Sequence, residues 1–163
     1  MLVALPAHLI SRLQSVQNAA ARLICQVRHS EHITDVLLEL HWLRIPERIV
    51  YKMAVQMCRA LNGSAPRYLS SQLTRVADMP SRLRLRSAST QRLVVPAFRL
   101  TTVGRRAFPV TSSNIWNTLP DDVTSAPSLH IFRQRLRTHL FRTSYEIIVY
   151  SFPYPGSGPC SGY

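Results

Sequence analysis

The stretch AHLISRLQSVQNAAARLICQV, residues 7–27, does most to decide the fold class. Its apolar residues recur at alternating intervals of four and three, a spacing that draws one stripe along a helix. Pro6 stands just before the stretch, where proline favours a helix start. We therefore predict a helix over residues 7–27 whose apolar stripe is Leu9, Leu13, Val16, Ala20, Leu23 and Val27.

The next fifty residues carry further helix signals. Residues 32–40 predict a short helix, and residues 66–73 predict one more helical turn. Between them a longer helix is expected to begin at Pro46 and to end at Asn62-Gly63, because proline suits the first turn and glycine suits the position after the last. Its predicted inner face is Ile49, Val50, Met53, Met57, Ala60 and Leu61.

Two helices are predicted on the C-terminal side. Ser112 or Ser113 is expected to cap a short helix that Pro120 ends, and Ser128 is expected to cap the last helix. The apolar stripe of the last helix is Leu129, Phe132, Leu136 and Leu140, and its cations are Arg133, Arg135, Arg137 and Arg142. Residues 143–163 contain three prolines, three glycines and no basic residue. This composition predicts a disordered tail.

The middle of the chain differs in composition from both sides. Residues 75–106 contain eight arginines and one acid, Asp78, for a net charge of 8 − 1 = +7. Arginine and leucine alternate over residues 82–86, and residues 93–95 are β-prone, which predicts short extended strands or a hairpin. The expected fold is a mainly α small domain over residues 1–142: helical at 6–73, Arg-rich and extended at 75–110, and helical at 112–142.

Charge points to a polyanionic partner. The 163 residues carry 20 basic and 8 acidic side chains, a net charge of +12. Lys52 is the only lysine, and the guanidinium of the other basic residues binds phosphate through paired hydrogen bonds. A compositional bias toward arginine explains the same count equally well, so charge alone leaves both interpretations open.

Compartment signals are few. Cys25, Cys58 and Cys160 are widely spaced and odd in number, which does not indicate a disulfide framework. The first residues lack the charged lead and cleavage site of a signal peptide, and no apolar run has the length of a membrane span. We expect an intracellular protein of the nucleus or cytoplasm with no membrane partner.

Several motifs taken together resemble the segment that follows the reverse transcriptase domain in LINE-type (non-LTR) retrotransposons. Each motif is weak alone, but they occur in the same order over residues 5–142. They are Leu13–Leu23 (LQSVQNAAARL), His32–Thr34 (HIT), Leu40–Leu43 (LHWL), Tyr51-Lys52, Ala60–Gly63 (ALNG), Ala65–Leu69 (APRYL), Leu83–Ser87 (LRLRS), Val95-Pro96, Gly104–Phe108 (GRRAF), Ile115–Pro120 (IWNTLP) and Phe132–Phe141 (FRQRLRTHLF).

The resemblance implies the non-catalytic C-terminal part of an RNA-directed DNA polymerase. The polymerase fingers and palm, with their metal-binding aspartates, would lie upstream of Met1, and the sequence contains no counterpart of the family's endonuclease domain either. The implied partners are RNA or DNA, the parent polymerase domain, or a second copy of the chain. The tail after Arg142 has no counterpart in the family.

Residue patterns for catalysis or metal binding are poor. Asp121-Asp122 is the only adjacent acidic pair, and it follows a proline, which favours a turn or a helix start over a two-metal site. A zinc site could be assembled from Cys25, His29, His32 and His41, but their spacing lacks the paired knuckles of structural zinc sites. No nucleophile elbow or phosphate-binding glycine loop occurs. We expect no enzyme activity, cofactor, metal or small-molecule substrate.

The predicted binding residues are six arginines of the middle segment. On a strand the alternate arginines of residues 82–86 would share one face roughly 6–7 Å apart, close to phosphate spacing. The six are Arg82, Arg84, Arg86, Arg92, Arg105 and Arg106. The nearest aromatics, Phe98, Phe108 and Trp116, favour core packing over base stacking, so the binding should be backbone-directed. Two alternatives stay open: a merely solvated basic loop, and a structural remnant or interaction module that packs through its apolar helix stripes.

Overall fold

The computed structural model describes residues 5–79, 91–99, 104 and 106–145. Within these residues the chain forms seven α-helices, one 3₁₀ turn and no strand, which confirms the mainly α prediction. None of the described helices has the length and apolar character to cross a membrane. The helices are α1 (Ala7–Cys25), α2 (Ile33–Glu39), α3 (Ile45–Leu61), α4 (Arg67–Ser70), α5 (Phe108–Thr118), α6 (Asp121–Thr124) and α7 (Leu129–Ser144), and the 3₁₀ turn is Val76–Asp78.

The main core lies between α3, α5 and α7. The Trp116 indole stacks on the Phe132 ring with centroids 5.7 Å apart, and this contact joins α5 to α7. The helical segments before and after the arginine-rich middle therefore share one core. Its buried members are Leu43, Ala54, Met57, Cys58, Leu93, Trp116, Leu119, Val123, Phe132, Leu136 and Leu140.

A second, smaller core joins α1, α2 and the end of α7. Its buried residues are Ala21, Val36, Leu37 and Tyr145. The Tyr145 hydroxyl donates to the Trp42 carbonyl at 2.6 Å. Because α7 continues to Ser144 and Tyr145 is only 2% exposed, the prediction that the tail begins at residue 143 is wrong for its first three residues. The rest of that predicted tail, residues 146–163, lies outside the described residues.

α1 is confirmed as a helix, but the domain does not bury its apolar stripe. Leu13 is 42% exposed, Val16 68% and Leu23 80%, whereas Gln17 and Ala21 are buried. On a helical wheel the buried face lies about a quarter turn from the stripe. The helix ends at Cys25 rather than residue 27, because Gln26 adopts the left-handed conformation with φ 53°.

Polar side chains hold α1 against the entry to α3. Gln17 Nε2 donates to the Leu43 carbonyl at 2.8 Å, and Gln14 Oε1 accepts from the Ile45 N–H at 2.8 Å. The first N–H groups of a helix have no partner within the helix. Gln14 therefore caps α3 from another helix, and Ala21, fully buried, lets α1 approach closely.

Both ends of α3 and the start of α7 follow the prediction. Pro46 lies in the first turn of α3, and the helix stops just before Asn62 and Gly63, whose φ is 69°. Ser128 Oγ accepts from the Ile131 N–H at 3.3 Å and so caps α7. These three helix ends are therefore set by residues local to them in the sequence.

The predicted start of α5 is wrong. The helix begins at Phe108, four to five residues before the serines proposed as caps, and Ala107 is its N-cap. Pro109 lies in the first turn, where its missing N–H costs nothing. Ser112 is a helical residue whose hydroxyl donates to the Phe108 carbonyl, and both Ser112 and Ser113 are fully buried.

The arginine-rich middle, predicted to be extended over residues 75–110, is only partly so where the structure describes it: Val76–Asp78 is a 3₁₀ turn and α5 already begins at Phe108. Arg75 and Leu93 form one antiparallel bridge, flanked by hydrogen bonds of 2.9 Å from Val76 N to Arg92 O and from Val94 N to Thr74 O. This single bridge is not a strand. The predicted alternation over residues 82–86 lies outside the described residues.

Side chains of α5 hold the extended segment in place. Asn117 accepts from the Leu93 N–H and donates to the Leu93 carbonyl, both at 2.9 Å, as a neighbouring strand would. Trp116 Nε1 donates to the Gln91 carbonyl at 2.7 Å. The segment therefore follows the last turns of α5 on its way past the core.

Candidate nucleic-acid interface

The six arginines predicted from the sequence fall into two groups. Arg92 and Arg106 are described and exposed. The other four lie outside the described residues: Arg82, Arg84, Arg86 and Arg105. Arg92 lines a cavity of about 40 Å³ together with Asp121, so its nearest surroundings are not purely basic.

A different set of cations lies along α3. Arg48, Lys52 and Arg59 are all exposed. At 100° per residue their side chains fall within about 40° of one another around the helix, and the row is roughly 16 Å long. α3 therefore presents one basic edge while Ala54 and Met57, on its opposite side, enter the main core.

α7 contributes a second row. Arg133 and Arg137 are exposed and four residues apart, so they lie on the same side of the helix. Each follows directly after a buried core residue, Phe132 and Leu136 respectively. Burial of those two side chains against the core sets the arginines at the rim of the contact between α3 and α7.

The two rows meet along one groove. A cavity of about 290 Å³ is lined by Arg48, Tyr51 and Arg137, with His41, Trp42 and Leu43. A second cavity of about 440 Å³ is lined by Tyr51, Lys52, Val55, Gln56, Arg59 and Arg133. Among the described residues that line these two cavities, none is acidic. Because Tyr51 lines both, they form one surface, called here the basic groove: Arg48, Tyr51, Lys52, Arg59, Arg133 and Arg137.

The pairing of residues across the groove gives its direction. Arg48, near the start of α3, shares a cavity with Arg137, and Arg59, near the end of α3, shares one with Arg133. The two helices therefore run antiparallel. Each of the two cavities is lined by cations from both helices.

Arg137 is the best-positioned cation of the groove. Its Nη2 donates to the His41 carbonyl at 3.1 Å. His41 adopts a left-handed conformation with φ 53°, and its ring stacks on Phe141 at 5.8 Å. A guanidinium has five N–H donors, and this hydrogen bond orients the group while using one of them. The arrangement suits a ligand with several acceptor oxygens, such as a phosphate.

Cys58 is a buried member of the main core and is not a candidate nucleophile. Burial raises the pKa of the Cys58 thiol, while a hydrogen bond from Asn62 and the charge of Arg133 act in the opposite direction. Asn62 Nδ2 donates to Sγ at 3.4 Å. A thiol with a raised pKa and a place in the core acts as a small apolar side chain.

The acidic pair behaves as a helix start. Asp121 and Asp122 occupy the first turn of α6, and both are exposed. Carboxylates are stabilised there by the positive end of the helix dipole. This confirms the helix-start interpretation of the pair.

The zinc alternative finds no geometric support in the described part of the chain. There, no group of three or more His, Cys, Asp or Glu side chains comes close enough together to hold a metal ion. Cys25 is instead half-buried and packs against the smaller core.

The aromatic residues divide between core and surface. Trp116 is buried, as predicted, but Phe98 is 39% exposed. A Cβ at Gly104 would lie 2.6 Å from Phe98 Cβ, so this glycine permits the close approach of the two segments. Tyr51, which lines both cavities of the basic groove, was not among the predicted binding residues.

Sequence reasoning missed all six residues of the basic groove as a binding surface. A signal was present: cations at positions 48, 52 and 59 follow helical spacing, as do 133 and 137. What the pattern lacked was the pairing of two helices that lie almost seventy residues apart in the chain, since α3 ends at Leu61 and α7 begins at Leu129. The dense arginines of the middle segment drew the prediction instead.

A second exposed surface lies on α1. Leu13, Val16, Leu23 and Ile24 are between 42% and 80% exposed and form what is called here the α1 outer face. The stripe to which three of them belong has the alternating intervals of four and three residues that also occur in a coiled-coil seam. On its polar side, α1 borders a cavity of about 980 Å³ whose lining includes Arg22, Leu23 and Arg44.

Comparison of the chain with protein-family models, with curated proteins and with solved structures finds no match in any of the three.

Proposed function

We propose that this chain is a nucleic-acid-binding module that contacts the phosphate backbone of RNA or DNA and has no catalytic centre of its own. The observation that carries the proposal is the basic groove, where five exposed cations from two helices line adjoining cavities without an acidic neighbour among the described lining residues. The motif order along the chain supports a relation to the segment that follows the polymerase in LINE-type retrotransposons. We place its action inside the cell, in the nucleus or cytoplasm.

The chemistry of the groove favours backbone over base recognition. Arginine and lysine neutralise phosphates and release counterions, which gives sequence-independent affinity. Sequence readout requires side chains that reach base edges in an ordered pattern. Besides cations, the groove is lined by three aromatic rings, His41, Trp42 and Tyr51, which offer flat faces rather than an ordered set of hydrogen-bonding groups, so weak sequence preference is expected. The net charge of +12 adds long-range attraction to any polyanion.

The proposal is tested by a salt titration of binding. The intact chain is titrated against labelled single-stranded RNA and duplex DNA from about 50 mM salt upward, and a linear fall of log affinity with log salt is expected. Two charge-matched variants locate the contacts. One replaces Arg48, Lys52, Arg59, Arg133 and Arg137 by glutamine, and the other replaces Arg82, Arg84, Arg86, Arg105 and Arg106.

Each result has a defined meaning. A flattened salt dependence in the first variant places binding in the basic groove, and in the second it places binding in the middle segment predicted from sequence. Absence of binding by the intact chain at about 50 mM salt contradicts the proposal, because backbone contacts are strongest at low salt.

The relation to LINE elements has its own test. The genomic sequence upstream of the Met1 codon is read in frame. A polymerase palm with metal-binding aspartates in that frame is the expected result, and an unrelated open frame with no polymerase motif would count against the relation.

A second candidate function is supported by the α1 outer face. Apolar side chains that are 59–80% exposed, as at Val16, Leu23 and Ile24, mark a contact surface more often than a solvated one. We propose as the alternative a structural remnant or interaction module whose stripe packs on a helix of the parent polymerase domain or of a second copy. Light scattering after size exclusion tests the second copy, and a monodisperse monomer at about 100 µM would exclude it, since that concentration detects affinities near −5.5 kcal/mol.

A further inference from the structure

We infer that the basic groove accepts one strand of nucleic acid over about three phosphates, and that it excludes a duplex. The inference rests on the proposed function and names the ligand class for the same site. It is argued from the width of the groove, the spacing of its cations and the position of Tyr51.

The width of the groove suits a single strand. Helices in contact have axes roughly 8–10 Å apart, and the groove lies between α3 and α7. The major groove of B-form DNA is by itself about 12 Å wide, so a whole duplex would rest across both helices instead of following the line between them. A single strand presents one line of phosphates and can follow the groove.

The spacing of the cations suits successive phosphates. Along α3 the step from Arg48 to Lys52 is about 6 Å and the step from Lys52 to Arg59 is about 10 Å. Phosphates of an extended strand lie roughly 6–7 Å apart, so this row spans about three of them. Arg137 faces the first position across the groove and Arg133 faces the positions beyond it.

Cations from both helices therefore surround the strand. Arg48 and Arg137 line the smaller cavity, and the larger one holds the remaining three cations. One phosphate is assigned to the smaller cavity and two to the larger. On a duplex surface the second strand would carry half of the phosphates, and the groove has no further cation row to meet them.

Tyr51 supplies a contact for a base. It is half-buried and lines both cavities, so it lies between the two groups of cations. Its ring packs against the main core, which limits its movement. Stacking on an aromatic ring tolerates any base, because every base has a π face. A strand whose phosphates follow the cations would bring an unpaired base within reach of this ring, whereas paired bases are stacked inside a duplex.

The experiment compares a labelled 12-nucleotide oligothymidylate with a 12-base-pair duplex by fluorescence anisotropy, from about 50 to 300 mM salt. We expect at least tenfold tighter binding of the single strand and a log–log slope near −2, from three phosphates at about −0.7 each. The variant Arg48→Gln/Arg137→Gln should reduce the slope by about 0.7, and Lys52→Gln/Arg59→Gln/Arg133→Gln by about 1.4.

Two further variants separate the groove from charge in general. Arg12→Gln/Arg28→Gln/Arg67→Gln removes three exposed cations elsewhere and should leave the slope unchanged. Tyr51→Leu keeps an apolar side chain against the core and should weaken binding about tenfold with no change of slope. Circular dichroism of every variant confirms that it is folded.

The outcomes separate a failure of the single-strand inference from a failure of the proposed function on which it rests. If the intact chain binds neither probe, the proposed function fails. If it binds but favours the duplex, or if the groove variants and the Arg12/Arg28/Arg67 control change the slope equally, the single-strand inference fails while backbone binding stands. If Tyr51→Leu binds as the intact chain does, stacking on Tyr51 is excluded.

Discussion

α1 and α7 have similar sequence patterns and opposite environments. Both carry apolar residues at helical spacing with polar residues on the other side. In α7 the stripe is buried: Phe132 is 1% exposed, Leu136 0% and Leu140 5%. In α1, Val16 and Leu23 of the stripe are 68% and 80% exposed.

The difference shows that periodicity identifies a face but not its partner. α7 buries its apolar side because α3 and α5 offer matching apolar surfaces. α1 meets the loop before α3, which presents backbone polar groups, and the side chains that satisfy them are Gln14 and Gln17. These hydrogen bonds, together with the packing of Ala21 in the smaller core, place against the domain a face about a quarter turn from the apolar stripe.

The largest expected effect on stability comes from comparing a buried position of the α7 stripe with an exposed position of the α1 stripe. Leu136→Ala should lower the free energy of unfolding by about 2–5 kcal/mol, because it leaves a cavity at a fully buried site. Leu23→Ala should change it by no more than about 0.5 kcal/mol. Urea denaturation of both variants gives the comparison, and equal losses would show that the α1 stripe is buried in solution.

A smaller loss of stability is expected where α1 contacts the loop before α3. Gln17→Leu removes the hydrogen bond to the buried Leu43 carbonyl and should cost about 1–3 kcal/mol, partly offset because Gln17 Oε1 has no partner. Gln134→Leu, at an exposed position of α7, is the matched control and should be nearly neutral. If both variants have the same stability, the glutamine contact does not hold α1 in place.

The end of α7 gives a pH-dependent prediction. Burial raises the pKa of Tyr145 above its ordinary value near 10, while Arg44 acts against this. The folded state thus favours the neutral phenol, so its contribution is complete below about pH 10 and is lost as pH rises further. Tyr145→Phe should cost about 0.5–1.5 kcal/mol at neutral pH by losing the hydrogen bond to Trp42.

Melting temperatures measured from pH 8 to 11 test this directly. The Tyr145→Phe variant should lose less stability than the intact chain between pH 10 and 11. Parallel curves would mean that the phenol titrates equally in the folded and unfolded states.

The smallest effect on stability is expected at the C-terminal end of α1. Gln26 has a φ of 53°, a conformation that costs a residue with a side chain about 1 kcal/mol and that glycine adopts freely. Gln26→Gly should stabilise the domain by about 0.5 kcal/mol, whereas Ser15→Gly in the middle of α1 should destabilise it slightly. Thermal melts of the pair test this, and destabilisation by Gln26→Gly would show that the left-handed turn is not adopted in solution.

The parts of the fold that were predicted correctly depend on local chemistry. Ser128 caps α7 by accepting a hydrogen bond from the N–H of Ile131, three residues further on. Pro46 and Gly63 mark the two ends of α3. Each sequence signal therefore acts within a few residues of itself. The α5 start was missed because two serines resembled caps, while the helix continues back to Phe108 and buries them.

The candidate site was less predictable than the fold. The predicted arginines Arg82, Arg84 and Arg86 lie outside the described residues and stay a prediction. The basic groove needs Arg48 and Arg137 in the same cavity, across 89 positions of sequence (137 − 48). No local pattern carries that information, since a cation on a helix surface looks the same whether or not another helix lies beside it.

The sequence by itself determined the helical class, the strongly basic character and the ends of the best-defined helices. These follow from the spacing of apolar residues, the count of charges and the capping residues, all of which act at short range. Tertiary structure alone decided which face of α1 is buried and which cations share a groove. Both depend on the relative placement of distant helices, which is set by the combined packing and hydrogen bonding of the whole domain.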